Sequence, residues 1–333
     1  MTDIQRSDFF VETVDGVRIA IREVRSDGVP DRVPMVLMHG TRIPGLSEFD
    51  LPVENGSLAA DLAAKGHVCY IADARGFGRS ERPPEMDAPP LPGAKSLARS
   101  IEITRDVDAA VDHLLASTGQ SRAAIFGWGV GGTIAAMYAA LWPEKVSHII
   151  GYMMIYGGAG THAQFGPGSA WDDPENSGHF NKAAWGNYAW NGLELLDVHW
   201  DRQIPIRDKS AWRDPAMLEA FRQALIDGDP LAATRDPPQY RSPNGMLEDL
   251  FIMGARTEPL FSASQVYCNV MIARGEYDGL CRVEDMEAFM GDMSNAESVV
   301  FWNRPDTTHY VLLDRPERGR DDLLRALDAF LRP

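Results

Sequence analysis

The sequence predicts an α/β fold in which a largely parallel sheet carries helices on both faces. Short apolar strands alternate with helical segments along most of the 333 residues, and such alternation is typical of parallel sheets. The alternation stops once, between residues 157 and 260, and then resumes. We therefore expect a core formed by residues 1–156 and 261–333, with residues 157–260 inserted as a mainly helical cap.

The first part of the chain contains a predicted hairpin followed by strand–helix units. Asp15-Gly16 separates two short runs of β-forming residues, which indicates a hairpin turn. A helix is expected where apolar residues recur at helical spacing, as they do from residue 97 to residue 115. The predicted elements, in order, are strands 9–13, 17–24 and 35–38, helix 58–64, strand 68–72, helix 97–115, strand 123–126, helix 133–141 and strand 146–156.

The cap segment differs in composition from the rest of the chain. It holds five of the eight tryptophans, namely Trp171, Trp185, Trp190, Trp200 and Trp212. After it we predict a strand at 269–273, a helix at 283–293, a strand at 298–302 and a final amphipathic helix. The tryptophans either pack the cap onto the sheet or line a pocket over its carboxyl edge.

The run Gly127-Trp128-Gly129-Val130-Gly131-Gly132 joins a predicted strand to a predicted helix. It fits G-x-G-x-x-G, which binds dinucleotides when an acidic residue ends the next strand. That strand instead ends in Tyr156-Gly157-Gly158. The run also fits the elbow pattern G-x-S-x-G, with Gly129 in place of the nucleophile. We favour the elbow.

Two further residues have the chain order and placement of a catalytic acid and base. Asp278 follows the strand at 269–273, and His309 follows the strand at 298–302. A histidine can remove the proton of a nucleophile, and a carboxylate can orient the ring. Alone, Asp278 could be a turn residue and His309 a surface histidine. Glu276 is the alternative acid.

The segment His39-Gly40-Thr41-Arg42 follows an early strand. In an elbow site, this loop and the residue after the nucleophile donate backbone N–H groups to an oxyanion. The expected donors are Thr41 or Arg42, together with Val130. We interpret His39 as structural, because its loop must be fixed in place.

Taken together, the H-G-x segment, the run Asp73-Ala74-Arg75-Gly76-Phe77-Gly78-Arg79-Ser80, the glycine-rich elbow, Asp278 and His309 resemble the α/β-hydrolase superfamily. The elbow is similar to serine-type G-W-S-x-G-G elbows and to the cysteine-type elbows of dienelactone hydrolases and polyester synthases. The resemblance implies an α/β-hydrolase fold and a triad that cleaves an ester, amide or thioester. Gly129 stands at the nucleophile position of that triad.

Glycine at position 129 has three explanations. The first, which we favour, is the replacement of a serine or cysteine, which leaves an inactive or strongly impaired hydrolase. The second is a natural lyase, cyclase or other catalyst that uses His309 as a base without covalent chemistry. The third is a binding protein on the same scaffold. Acyl transfer by the same triad is an alternative to hydrolysis.

The expected partner is a small, partly apolar or aromatic substrate contacted by Trp128, Trp185 and Trp190. A net charge of −16 argues against nucleic acid. No cofactor is expected, and the eight histidines show no metal-binding spacing. The polar N-terminus and the lack of a long apolar stretch argue against the membrane and favour the cytoplasm. A homodimer is left open.

Overall fold

The protein is described here by a computed structural model, which covers residues 3–28, 30–256 and 258–332. In this part of the chain, one sheet has the strand order β1-β2-β4-β3-β5-β6-β9-β10, and β7 and β8 pair separately. The strands are β1 (Ile4–Glu12), β2 (Arg18–Ser26), β3 (Met35–Met38), β4 (Cys69–Ala72), β5 (Ala123–Trp128), β6 (Val146–Tyr152), β7 (Tyr188–Gly192), β8 (Gln239–Pro243), β9 (Asn269–Gly275) and β10 (Ser298–Arg304).

The helices follow the predicted alternation. They are α1 (Gly45–Phe49), α2 (Leu58–Ala63), α3 (Ser100–Thr118), α4 (Val130–Leu141), α5 (Lys182–Trp185), α6 (Glu194–Gln203), α7 (Pro215–Asp227), α8 (Gly245–Arg256), α9 (Val283–Asp292) and α10 (Arg320–Phe330). The five-residue helix α1 is too short for a periodic pattern, so the sequence did not predict it. Within the described ranges, no helix combines the length and apolar composition needed to cross a membrane.

Within the described residues, six neighbouring strands of the main sheet are mutually parallel and bring their carboxyl ends to one edge, namely β4, β3, β5, β6, β9 and β10. Strand β5 lies beside β3 and β6, and β9 lies between β6 and β10. In this register Met38 is opposite Gly127, and Tyr152 is opposite both Trp128 and Ala273. The loops that follow these strands therefore meet, and they carry the predicted functional residues.

Two predicted boundaries differ from the structure because of single backbone conformations. Strand β6 ends at Tyr152 rather than at residue 156, although the next four residues are buried and apolar. Met153 adopts a positive φ of 49°, which bends the chain out of the ladder. Helix α3 starts three residues later than predicted, because Ala98 adopts a φ of 56°.

Residues 157–260 add helices α5–α8 and the antiparallel pair β7–β8. The helices follow the expectation of a mainly helical segment, whereas the small sheet was not predicted. In the described part of this segment, no strand joins the main sheet. Trp200 and Trp212 each donate an indole hydrogen bond to Asp314, at 2.8 and 3.0 Å. These two tryptophans therefore fasten this segment to the loop that carries His309.

Candidate active site

The turn between β5 and α4 has the backbone of an elbow. Gly129 adopts φ 56° and ψ −123°, a region that side chains rarely occupy. A Cβ added to Gly127 would lie 2.1 Å from the carbonyl oxygen of Gly131, and one added to Gly131 would lie 2.4 Å from that of His39. A Cβ on Gly129 would meet only the Cα of Gly40, at 4.0 Å. Close packing thus requires the flanking glycines, whereas the side-chain position at residue 129 is vacant.

Asp278 and His309 form a buried pair. Asp278 Oδ2 lies 2.9 Å from His309 Nδ1, and Asp278 is 2% exposed. Burial by itself would raise the pKa of Asp278. The His309 imidazole and the N–H of Leu280 lower it by more, so the pKa lies below its usual value. Glu276, the alternative acid, lies exposed and instead accepts the backbone N–H of Asp306 at 3.0 Å.

The other ring nitrogen of His309 has a partner that the sequence did not predict. The indole Nε1–H of Trp128 donates to His309 Nε2 at 2.8 Å. Since an indole only donates and a carboxylate only accepts, the proton must sit on Nδ1. The backbone of His309 is held as well, by Gln203 Oε1 on its N–H at 2.6 Å and by the Tyr152 hydroxyl on its carbonyl at 2.9 Å.

The loop after β3 is fixed by its own side chains. His39 Nε2 accepts the N–H of Ala74 at 3.0 Å, and its Nδ1–H donates to the carbonyl of Gly40 at 2.8 Å. His39 therefore has the structural contacts that its motif suggested. The N–H of Gly40 donates to Glu48 Oε2 at 2.9 Å, so a carboxyl group lies directly beside the predicted oxyanion donors.

The predicted oxyanion donors remain available. Within the described residues, the backbone N–H groups of Thr41 and Val130 make no hydrogen bond to another residue. Val130 is the first residue of α4, where the helix dipole is positive. Both residues line one cavity with Gly129 and His309. The arrangement can accept negative charge on a carbonyl oxygen.

That cavity has a volume of about 600 Å³ and mostly apolar walls. The predicted site residues on its surface are Thr41, Arg42, Trp128, Gly129, Val130 and His309. Asp278 lies behind His309. Phe165 and Trp171 supply aromatic surface from the cap segment. The walls suit a small, partly apolar molecule.

Two of the tryptophans expected at the substrate lie elsewhere. Trp190 stacks on the guanidinium of Arg235, with 3.8 Å between Cζ and the ring centroid, in a separate surface depression. Trp185 lies behind the cavity wall, packed edge-on against Trp171 at 6.0 Å and under Arg42 at 5.4 Å. Both indoles lie against arginine side chains, and neither is on the surface of the cavity.

The sequence did not single out Glu48 or His199 as site residues, although both line the cavity. Glu48 is 1% exposed, and burial raises its pKa well above the usual value, against the hydrogen bond from Gly40. A 2.9 Å hydrogen bond joins His199 Nδ1 to the Tyr310 hydroxyl. Burial, followed by the nearby His309, lowers the pKa of His199 to about 4. Neither residue belongs to a motif, so only the tertiary structure identifies them.

The family model described as alpha/beta hydrolase fold matches residues 33–316. No curated protein sequence matched the chain. Among solved structures, the enol-lactonase from Burkholderia xenovorans is 15% identical, with 97% of this chain and 99% of that chain covered and a TM-score of 0.61. An esterase from a Rhodococcus species is 18% identical (98% and 100% covered, TM-score 0.60). The thioesterase domain from the curacin biosynthetic pathway is 16% identical (98% and 99% covered, TM-score 0.60). At these identities the structures share the fold, and the predicted fold class is confirmed.

Proposed function

The chain belongs to the alpha/beta hydrolase fold family, and from that premise we propose that it hydrolyses a small ester or thioester with water as the attacking group. The observation that carries this proposal is the buried Asp278–His309 pair, which borders the same cavity as the vacant position at Gly129. A positioned imidazole is the commonest base for proton transfer. The vacant position leaves room for a water molecule where other elbows carry a nucleophile.

Each bond change in the proposed reaction has a residue to support it. The water oxygen bonds to the carbonyl carbon while His309 Nε2 takes one water proton. The N–H groups of Thr41 and Val130 stabilise the oxyanion. The carbon–oxygen or carbon–sulfur bond then breaks, and Nε2 returns the proton to the leaving alkoxide or thiolate. Asp278 stays ionised throughout and stabilises the imidazolium. The products are a carboxylic acid and an alcohol or thiol.

Trp128 competes for the nitrogen that acts as the base. Nε2 has one lone pair, and the indole N–H occupies it in the absence of substrate. Water activation therefore requires that the imidazole and the indole separate when substrate enters. The three solved structures named above are of an esterase, a lactonase and a thioesterase, which supports the class of carbonyl bond but identifies no substrate.

The test is a panel of aryl esters and thioesters assayed with the wild type, His309→Ala and His179→Ala. His179 is exposed and lies outside the cavity, so it serves as the matched control. We expect His309→Ala to lower kcat by roughly 10²–10⁴-fold, the usual contribution of a general base. His179→Ala should match the wild type. Full activity of His309→Ala, or an acyl adduct on the wild-type protein, would exclude the proposal.

A second candidate is a covalent hydrolase whose nucleophile has been replaced by glycine. The vacancy at Gly129 and its φ of 56° favour it, because this backbone would present a side chain to the cavity. Gly129→Ser and Gly129→Cys separate the two candidates. If the parent was covalent, both rate and labelling by an active-site probe should rise, with the added mass on residue 129. If water attacks directly, a hydroxymethyl group takes the place of that water and the rate should not rise.

Acyl transfer is tested in the same assays. Adding an amine or alcohol acceptor and analysing the products shows whether the acyl group goes to water or to the acceptor. We expect the free acid as the product, because the cavity opens to solvent beside exposed Arg202.

A further inference from the structure

Arg42 lies on the cavity wall and, in the described part of the chain, has no counter-ion. Arg42 lines the cavity, and its Nη2 is buried with no hydrogen-bond partner. Among the described residues, no carboxylate forms an ion pair with it. Burial lowers the pKa of Arg42, and the phenol of Tyr240 acts in the opposite direction. Because arginine does not lose its proton in proteins, this group stays charged.

The arginines that the structure describes as buried each pair with a carboxylate, whereas Arg42 does not. Arg241 pairs with Asp229 at 2.7 Å, and Arg75 pairs with Asp106 at 2.6 Å. A buried charge is costly unless a counter-charge and hydrogen bonds compensate it. The missing partner of Arg42 is therefore expected to come from a ligand.

A second buried polar group beside Arg42 also lacks a partner. Tyr240 is 2% exposed, and its hydroxyl makes no hydrogen bond. Tyr240 lies on β8 in the cap segment, whereas Arg42 lies on the loop after β3 in the core. The ring of Trp185, also in the cap segment, lies 5.4 Å from the Arg42 Cζ. Arg42 and Tyr240 are close enough to interact electrostatically, so two unused donors lie near each other where residues 157–260 meet the loop after β3.

Glu48 does not supply the missing negative charge. It lines the same cavity, but it forms no ion pair with Arg42, and its oxygen Oε2 accepts from Gly40 N–H at 2.9 Å. Burial raises the pKa of Glu48 well above its usual value. Because burial favours the neutral acid and Glu48 forms no ion pair with Arg42, Glu48 does not balance the charge of Arg42.

We infer that Arg42 and Tyr240 form an anion subsite that binds a carboxylate group of the substrate. A guanidinium offers two parallel N–H donors that match the two oxygens of a carboxylate, and the phenol supplies a third donor. One guanidinium balances one negative charge, which favours a carboxylate over a phosphate dianion. Since Arg42 lines the same cavity as Gly129 and His309, the substrate class is an ester or thioester that also carries a free carboxylate; this last step rests on the proposed function.

Binding measurements test the subsite without any turnover. We would titrate 4-phenylbutyrate and its uncharged analogue 4-phenylbutyramide by calorimetry into the wild type, Arg42→Gln, Tyr240→Phe and Arg202→Gln. The last is the matched control, because Arg202 is an exposed arginine on the same cavity. We expect the acid to bind roughly 10- to 100-fold more tightly than the amide, the range for hydrogen bonds to a charged group. Arg42→Gln should abolish that preference, Tyr240→Phe should reduce it, and Arg202→Gln should keep it.

Equal binding of acid and amide, no binding of the acid, or a preference that survives Arg42→Gln would overturn the subsite. The ligand-free stability of Arg42→Met is an independent measurement. If the guanidinium is uncompensated, its melting temperature should equal or exceed that of the wild type; a clear decrease would show that the charge already has a partner. An acid that binds while no ester of such an acid is hydrolysed would contradict the proposed reaction and leave the subsite intact.

Discussion

The indole Nε1 of Trp128 and the imidazole Nε2 of His309 are joined by a 2.8 Å hydrogen bond at the base of the cavity. Trp128 precedes Gly129 in the elbow, and its indole occupies the nitrogen that acts as the base in the proposed reaction. Rings on several sides fix the indole, including Tyr152 at 4.8 Å and Phe49 at 6.2 Å. In the proposed reaction, substrate must therefore separate the indole from the imidazole.

Replacing Trp128 with phenylalanine should release His309 Nε2. If that nitrogen activates water, kcat/KM should rise by roughly two- to tenfold, the net value of one neutral hydrogen bond. Trp142→Phe is the control, because Trp142 stacks on Tyr138 away from the cavity. The measurement is steady-state kinetics on the best ester of the panel. A lower kcat/KM in Trp128→Phe would show that the indole positions the imidazole instead of competing with substrate.

The elbow glycines should differ sharply in their tolerance of a methyl group. Gly131→Ala places a Cβ 2.4 Å from the His39 carbonyl oxygen, whereas Gly129→Ala meets nothing closer than 4.0 Å. The second substitution bears only the strain of a positive φ, about 1–3 kcal/mol. In urea titrations, Gly129→Ala should therefore unfold at a higher midpoint than Gly131→Ala. The reverse order would mean that residue 129, and not residue 131, is in close contact with the β3 loop.

The residues that could be predicted from sequence are those whose place depends on strand order. Asp278 and His309 each follow a parallel strand, and the carboxyl ends of parallel strands meet at one edge. Their 2.9 Å contact follows from that geometry. The elbow was recognisable because close packing restricts its flanking positions to glycine, which leaves a clear spacing in the sequence.

The contacts that residues 157–260 make could not be predicted from the sequence. Nothing in the sequence around Trp190 and Trp171 distinguishes their roles. In the structure, Trp190 stacks on Arg235, whereas Trp171 lines the cavity. Glu48 reads as a surface residue, because nothing local shows that α1 is buried beneath the cap. These positions depend on how the loops and helices of residues 157–260 pack against the rest of the chain. Neither hydrophobic periodicity nor motif spacing predicts that packing.

Glu48 should make activity sensitive to alkaline pH. Burial raises its pKa well above the usual value, so the neutral acid persists to higher pH than it does for an exposed glutamate. Once it ionises, its negative charge beside Gly40 opposes the developing oxyanion. We expect Glu48→Gln to match the wild type near neutrality and to retain activity at higher pH where the wild type declines. Identical pH–rate profiles for the two proteins would rule out this role for Glu48.

The contact between residues 157–260 and the loop that carries His309 should show a pH-dependent stability that depends on Asp314. Its carboxylate accepts hydrogen bonds from Thr308 at 2.6 Å, Trp200 at 2.8 Å and Trp212 at 3.0 Å. Burial nevertheless raises the pKa of Asp314 to about 7. An unfolded aspartate titrates near pH ~4. Between these values the folded chain binds a proton that the unfolded chain does not, so stability must fall as pH rises from about 4 to about 7.

Asp314→Asn removes this titration while keeping the shape of the side chain. The difference in free energy of unfolding between the wild type and Asp314→Asn should therefore be largest at or below pH ~4 and should decrease up to pH ~7, then stay constant. Urea titrations at a series of pH values measure it. Asp328→Asn is the control, because Asp328 lies on α10 and pairs with Arg332 at 2.7 Å, remote from that contact. A difference that grows with pH would mean that the three hydrogen bonds outweigh burial and hold Asp314 ionised, so that Trp200 and Trp212 fasten the cap segment to a charged carboxylate.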